Sequence, residues 1–180
     1  MTDADDPPRS QRLLAGLRDG TTAETATELE RLTAAETEPR KRALRALRDW
    51  TEERPESVSG LVAPLTTFLT DDERAVRLTT AKLFATLADE APAVARPAID
   101  PLADRLADEE EFYYVRARCA EALGYLALDY PDAVGEPERL AELRIGLEFD
   151  EPEVREKLAK ALEYVALGDP GRLRHHVERL

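Results

Sequence analysis

The stretch YVRARCAEALGYLA, residues 114–127, decides the fold because the chain writes it three times. AVRLTTAKLFATLA at 75–88 and EVREKLAKALEYVA at 153–166 superimpose on it without a gap. Val76, Val115 and Val154 stand 39 residues apart. The same step relates Arg77, Arg116 and Arg155; Ala81, Ala120 and Ala159; and Phe84, Leu123 and Leu162. Pro92, Pro131 and Pro170 follow the three copies in the same register. Self-similarity at a period of this size signals stacked structural units.

Inside each copy the apolar positions fall at helical spacing. Val154, Leu158, Leu162 and Val165 follow i, i+4, i+8, i+11, one face of an α-helix. The recurring alanines permit close helix approach, and the proline beyond each copy stops its continuation. A shorter apolar stripe precedes each copy: Leu61, Leu65, Phe68 and Leu69; Ile99, Leu102 and Leu106; Leu140, Leu143 and Leu147. Acidic turns join the two parts: TDDE from Thr70, ADEEE from Ala107 and FDEPE from Phe149. Asp71, Asp108 and Asp150 are expected to cap the following helix, since a short side-chain oxygen accepts from the free amides of a first turn. Each unit is thus predicted to be helix, acidic turn, helix.

Outward from the three copies lies a degenerate first unit, with helices expected over 21–34 and 40–53. It has Pro39–Arg40 where the others have Val–Arg, Leu44, Leu47 and Trp50 as its core face, and Pro55 at its end. Residues 1–10, acidic and polar, are expected to be disordered. Leu13, Leu14 and Leu17 predict a capping helix closed by Gly20, and Leu173, Val177 and Leu180 a second cap. The expected architecture is all-α: one domain over 11–180, a short α-solenoid of about four units at 21–56, 57–93, 94–132 and 133–170, with a capping helix at 171–180.

These residues resemble the HEAT-repeat family, with a flavour of its phycobilin-lyase-like branch. Pro64–Leu65 and Pro101–Leu102 in first helices, Asp71 and Asp108 in the turns, and the Val–Arg pairs at 76, 115 and 154 carry the resemblance, which covers roughly residues 21–170. Members are mostly scaffolds and adaptors, so the resemblance implies a protein-binding module. A few are enzymes or nucleic-acid binders. Deoxyhypusine hydroxylase, one such enzyme, looks to need several His–Glu pairs to hold iron, and this chain has none.

Composition narrows the classes further. The 180 residues are 43% hydrophobic, enough to bury a core, and 8 glycines and 12 prolines are too few for collagen or a low-complexity coil. A single cysteine fits a reducing compartment. No apolar run approaches the ~20 residues of a membrane span, and the acidic start is unlike a secretory leader. A soluble, cytoplasmic protein is expected. Asp plus Glu number 38 against 25 Lys plus Arg, a net charge of −13. That excess disfavours a nucleic-acid coat. Only Lys41, Lys82, Lys157 and Lys160 are lysine, and such a composition looks like the proteome of a salt-loving archaeon, where strong salt screens carboxylate repulsion.

Three groups of side chains are candidates for function. Arg77, Arg116 and Arg155 each sit in a helix first turn, where the macrodipole disfavours a cation. They are expected to pair with Asp71 or Asp72, Asp108 or Glu110, and Asp150, forming a structural ladder along one edge. Arg40, Lys41, Arg42, Arg45 and Arg48 form a basic run, and Lys41, Arg45 and Arg48 share one helical face. The third group lies in the longest turn: Leu106 to Val115 is nine residues, where Leu69 to Val76 and Leu147 to Val154 are seven. It carries EEEFYY, residues 109–114, and at least one of Phe112, Tyr113 and Tyr114 is expected to be partly exposed, as suits a protein contact.

Chemistry is thin. His175 and His176 are adjacent and point about 100° apart, a poor pair for a metal. Cys119 aligns with packing positions and is expected to be a buried thiol. No phosphate-binding loop GxxxxGK[ST], nucleophile GxSxG or CxxC occurs. The expectation is an adaptor for a partner protein, without catalytic residues, metal or cofactor. The alternatives are a nucleic-acid-associated role through residues 40–48, and a bilin-lyase-type enzyme, for which no site residues are seen.

Overall fold

In the computed structural model the repeated prolines govern where helices start as well as where they stop. The structure describes residues 9–135 and the helical positions 152, 155, 156, 159, 162 and 163. Arg54, Ala91 and Tyr130, the residues before Pro55, Pro92 and Pro131, leave the helix with φ/ψ of −142/60°, −147/73° and −128/54°. A residue before proline is barred from helical geometry by the ring, so all three make the same bend. The proline then opens the next helical segment, where its missing N–H costs nothing.

The elements run α1 (Arg9–Asp19), α2 (Thr22–Thr33), α3 (Thr37–Glu53), α4 (Val62–Thr66), α5 (Arg74–Glu90), α6 (Pro92–Ala95), α7 (Ile99–Ala107), α8 (Tyr113–Asp129) and α9 (Pro131–Val134). No strand occurs among the described residues. The three long helices α3, α5 and α8 have 17 residues each, and α5 lies between the other two. The shorter α2, α4 and α7 form the other layer, and α1 covers the open side of α2 and α3. Leu29, Leu44, Leu65, Phe68, Phe84, Leu102 and Leu123 are buried between the layers, as their spacing predicts. Among the described residues no helix is long and apolar enough to cross a membrane.

Several expectations need correction. Arg9 and Ser10, expected to be disordered, belong to α1. Helix α3 starts at Thr37, three residues before the expected start, because Pro39 fits in a first turn. The stripes before α5 and α8 are not single helices. Residues Pro55–Leu61 and Thr67–Thr70 flank α4 as 3-10 turns, and Arg96–Ala98 separates α6 from α7. Pro64 and Pro101 each stand third in α4 and α7, where a proline cannot donate back into a preceding turn, so the α-helix has to restart just ahead of it. Nor are Asp71 and Asp108 helix caps. The capping positions are Glu73 and Phe112, without a side-chain cap bond, while Asp71 and Asp108 accept the N–H groups of Glu73 (2.9 Å) and Glu110 (3.0 Å), two residues on. A carboxylate that accepts from the backbone two residues on closes the turn instead of the helix.

Gly20 ends α1 as predicted, with φ +70°. Gly20 N–H reaches Leu17 O and Thr21 N–H reaches Gly16 O at 2.9 Å, the paired bonds that satisfy a helix's last carbonyls. Leu162 is half-buried and packs on the core. Ala159 is exposed, whereas Ala81 and Ala120 are buried. Residues 1–8, Asp150, Val154, Leu158, Val165, the stripe Leu140, Leu143 and Leu147, the cap at 171–180 and both histidines lie outside the described residues.

Candidate functional site

The nine-residue turn between α7 and α8 is organised by Glu111, whose side chain is fully buried. Arg77 of α5 forks onto it, with Nε donating to Oε2 at 2.6 Å and Nη2 to Oε1 at 2.9 Å. Arg105 of α7 donates to Oε2 at 3.2 Å, and the Phe112 N–H to Oε1 at 2.7 Å. Four donors on one carboxylate offset the cost of taking its charge out of water. Arg77 also donates to the Asp71 and Asp72 carbonyls at 2.7 and 3.1 Å. Its hydrogen bonds to Glu111 raise its pKa against the opposing effect of burial, so the guanidinium stays charged.

Of the three expected pairs, only Arg77 is described on a carboxylate, and that carboxylate is Glu111 instead of Asp71 or Asp72. Each arginine described with a carboxylate partner in the following unit reaches forward: Arg40 to Asp71 at 2.7 Å, and Arg77 to Glu111. Asp108 turns back to Arg105 at 2.9 Å, and Arg116 donates Nε to the Leu106 carbonyl at 2.8 Å. Arg155 is half-buried, and Asp150 lies outside the described residues. Sequence reasoning passed over Glu111 because it favoured the turn's first acids. Counted back from α8, however, Glu111 stands 39 residues from Asp72, and that register points to it.

Where this anchored turn enters α8, Phe112, Tyr113 and Tyr114 form one cluster. Ring centroids lie 4.5 Å apart for Phe112–Tyr113, 5.3 Å for Phe112–Tyr114 and 4.1 Å for Tyr113–Tyr114. All three are half-buried; Phe112 and Tyr113 pack on the core. The Arg74 guanidinium sits 4.4 Å over the Phe112 ring. Glu109 and Glu110 are exposed beside them.

The basic run is less free than its sequence implies. Lys41 is only 17% exposed and pairs with Glu38, whose carboxyl is held below its usual range by that bond. Arg48 bonds Asp49 at 2.7 Å. Arg45 and Arg42 have no ion-pair partner among the described residues, and Arg45 is exposed. Of the three residues expected to share a face, Lys41 and Arg48 each have a neighbouring carboxylate and Arg45 has no ion-pair partner among the described residues.

Two concave regions stand out among the described residues. One of about 470 Å³ lies between α1 and α2, where Arg12 and Arg31 both reach Glu28. The other, of about 400 Å³, crosses α3, α5 and α8 and is lined by Arg48, Glu52, Lys82, Asp89, Arg118 and Glu121, with Tyr125 beside them. Cys119 is buried, and desolvation, with the Glu111 charge adding and Arg105 opposing, pushes its thiol up to about 12. Among the described residues no group of three or more His, Cys, Asp or Glu is placed to hold a metal ion.

No protein-family model matches the chain, and no curated protein matches it. Among solved structures it resembles the crystal structures of two engineered proteins. The first is 23% identical with a TM-score of 0.66, over 86% of this chain and 67% of the other. The second is 23% identical with a TM-score of 0.63, over 84% of this chain and 40% of that longer protein. At that identity the likeness is one of fold: an all-helical chain whose helices pack on one another.

Proposed function

We propose that the chain is a non-catalytic scaffold, a short HEAT-like α-solenoid that binds a partner protein in a salt-rich cytoplasm. The 37- and 39-residue steps between Arg54, Ala91 and Tyr130, and the row α3, α5, α8, support the repeat architecture. The acid excess and scarce lysine support the salt-rich setting. The observation that carries the binding role is the aromatic corner. Three rings, none of them fully buried, stand where α8 begins, beside a turn held by a four-donor carboxylate. A rigid aromatic surface loses little entropy on contact and offers both apolar area and tyrosine hydroxyls to a partner. The pairing of Lys41 and Arg48 with local carboxylates weighs against the nucleic-acid alternative through residues 40–48.

The test is the double change Tyr113→Ser, Tyr114→Ser, with retention of native-cell partners measured in molar KCl and the fold checked by circular dichroism. An apolar contact survives or tightens in such salt. Loss of partners with unchanged helicity is the expected result; full retention would remove this corner as the contact.

A further inference from the structure

The aromatic corner stands among carboxylates that the fold does not use. Asp72 and Glu73 precede α5, Glu109 and Glu110 precede α8, and all four are exposed. None of the four has an ion-pair partner among the described residues. Glu73 holds the capping position of α5 yet makes no side-chain cap bond, and at α8 it is Glu111 that accepts the Phe112 N–H. The inner cations of the two turns are committed: Arg77 and Arg105 hold Glu111, and Arg105 also holds Asp108. Arg74 is exposed, has no ion-pair partner among the described residues, and lies over Phe112. The exposed charges of residues 70–74 and 107–114 are therefore these four carboxylates and one guanidinium.

We propose that this corner docks a basic, arginine-bearing segment of a partner protein, with a guanidinium stacked on the tyrosines and its charge met by the four carboxylates. This rests on the reading of the corner as the contact. The chain makes one such contact with itself, since the Arg74 guanidinium lies 4.4 Å over the Phe112 ring, whose face carries the negative end of its quadrupole. The three rings are tilted 45–68° to one another, so no ring covers the whole face of its neighbour. Arginine fits better than lysine. Its planar, weakly hydrated head stacks on a ring while its N–H groups still reach a carboxylate. The carboxylates would steer a basic segment to the corner and repel a nucleic-acid strand. The rings would hold that segment once salt screens the exposed charges.

The anisotropy of a short fluorescent peptide of alternating Arg and Gly, titrated with the full chain, tests this beside the same peptide carrying Lys or Gln for Arg. At about 0.1 M KCl both basic peptides should bind about tenfold more tightly than the Gln peptide. At about 1 M KCl the Arg peptide should keep a roughly fivefold advantage over the Lys peptide. Asp72→Asn, Glu73→Gln, Glu109→Gln and Glu110→Gln together, all at exposed positions, should weaken binding about tenfold at the lower salt and little at the higher. Tyr114→Leu, which keeps apolar area and loses the ring, should erase the preference for Arg over Lys. Equal affinity for the Arg and Lys peptides in high salt, or binding that ignores both sets of changes, would overturn the proposal. Loss of native-cell partners in Tyr113→Ser, Tyr114→Ser while the Arg peptide ignores the corner would overturn it and leave the scaffold reading standing. Self-association of the chain, abolished by the same changes, would overturn it in favour of the exposed Arg42 and Arg45 of a second copy.

Discussion

Glu111 receives two guanidiniums and a backbone amide in a place water does not reach. Replacing it with Gln would keep the shape and strip the charge, leaving Arg77 and Arg105 to repel each other. Breaking a buried pair in this way costs on the order of 3–5 kcal/mol. Both arginines retain some exposure, so a loss near ~3 kcal/mol is expected for Glu111→Gln in urea unfolding, with a weakened near-ultraviolet signal from the tyrosines. A loss under ~1 kcal/mol would show that the turn is held by something else. Cys119 makes a second expectation. Its thiol is fully buried and stays protonated up to about 12, so iodoacetamide at about pH 8 should label it only as fast as the protein opens. An unfolded thiol ionises near ~8.5 and the folded one does not, so this group's contribution to stability is whole below ~8.5 and declines as pH rises towards about 12. Rapid labelling of the native protein would contradict the burial.

At the scale of elements, close approach decides how α1 is held. A Cβ on Gly16 would lie 2.3 Å from Thr25 Oγ1, and that hydroxyl is already bound to the Thr21 carbonyl at 2.9 Å. Gly16→Ala gains helix propensity worth up to ~1 kcal/mol but forces the two helices apart, a cost of roughly 1–3 kcal/mol. Net destabilisation is expected, and Thr25→Ala should relieve it; additive effects in the double-mutant cycle would show no contact. What the sequence made legible at this scale is the pattern that repeats. The buried faces of α3, α5 and α8 were readable from Leu44, Phe84 and Leu123, because helical spacing and burial are the same fact seen twice. The broken shorter elements were not. Apolar stripes such as Leu61, Leu65, Phe68 and Leu69 look the same in an α-helix and in a 3-10 turn, and only Pro64 and Pro101 hinted at the restarts. The site was half legible: the aromatics stood out by composition, whereas Glu111 and the groove depend on which neighbouring helix each side chain meets.

For the whole molecule it is charge that matters most, 38 carboxylates against 25 bases. Self-repulsion of this size opposes a compact chain in dilute buffer, where the Debye length is long. Salt shortens it to ~10 Å at 0.1 M and ~3 Å at 1 M. Two opposing effects follow. Exposed pairs such as Arg31–Glu28 weaken, but each contributes little to begin with. Largely buried pairs such as Arg77–Glu111 and Arg40–Asp71 are screened much less and keep most of their strength. What salt removes is therefore mainly repulsion, and the melting temperature should rise with KCl. The shape of the rise separates two causes. Screening alone is largely complete once the Debye length falls below the distance between neighbouring carboxylates, so the gain should flatten by about 1 M. A rise that continues through several molar would require strengthened apolar burial as well. A melting temperature that stays level or falls from dilute buffer to about 1 M KCl would mean that the acidic surface does not strain the fold, and the case for a salt-rich setting would lose its physical basis.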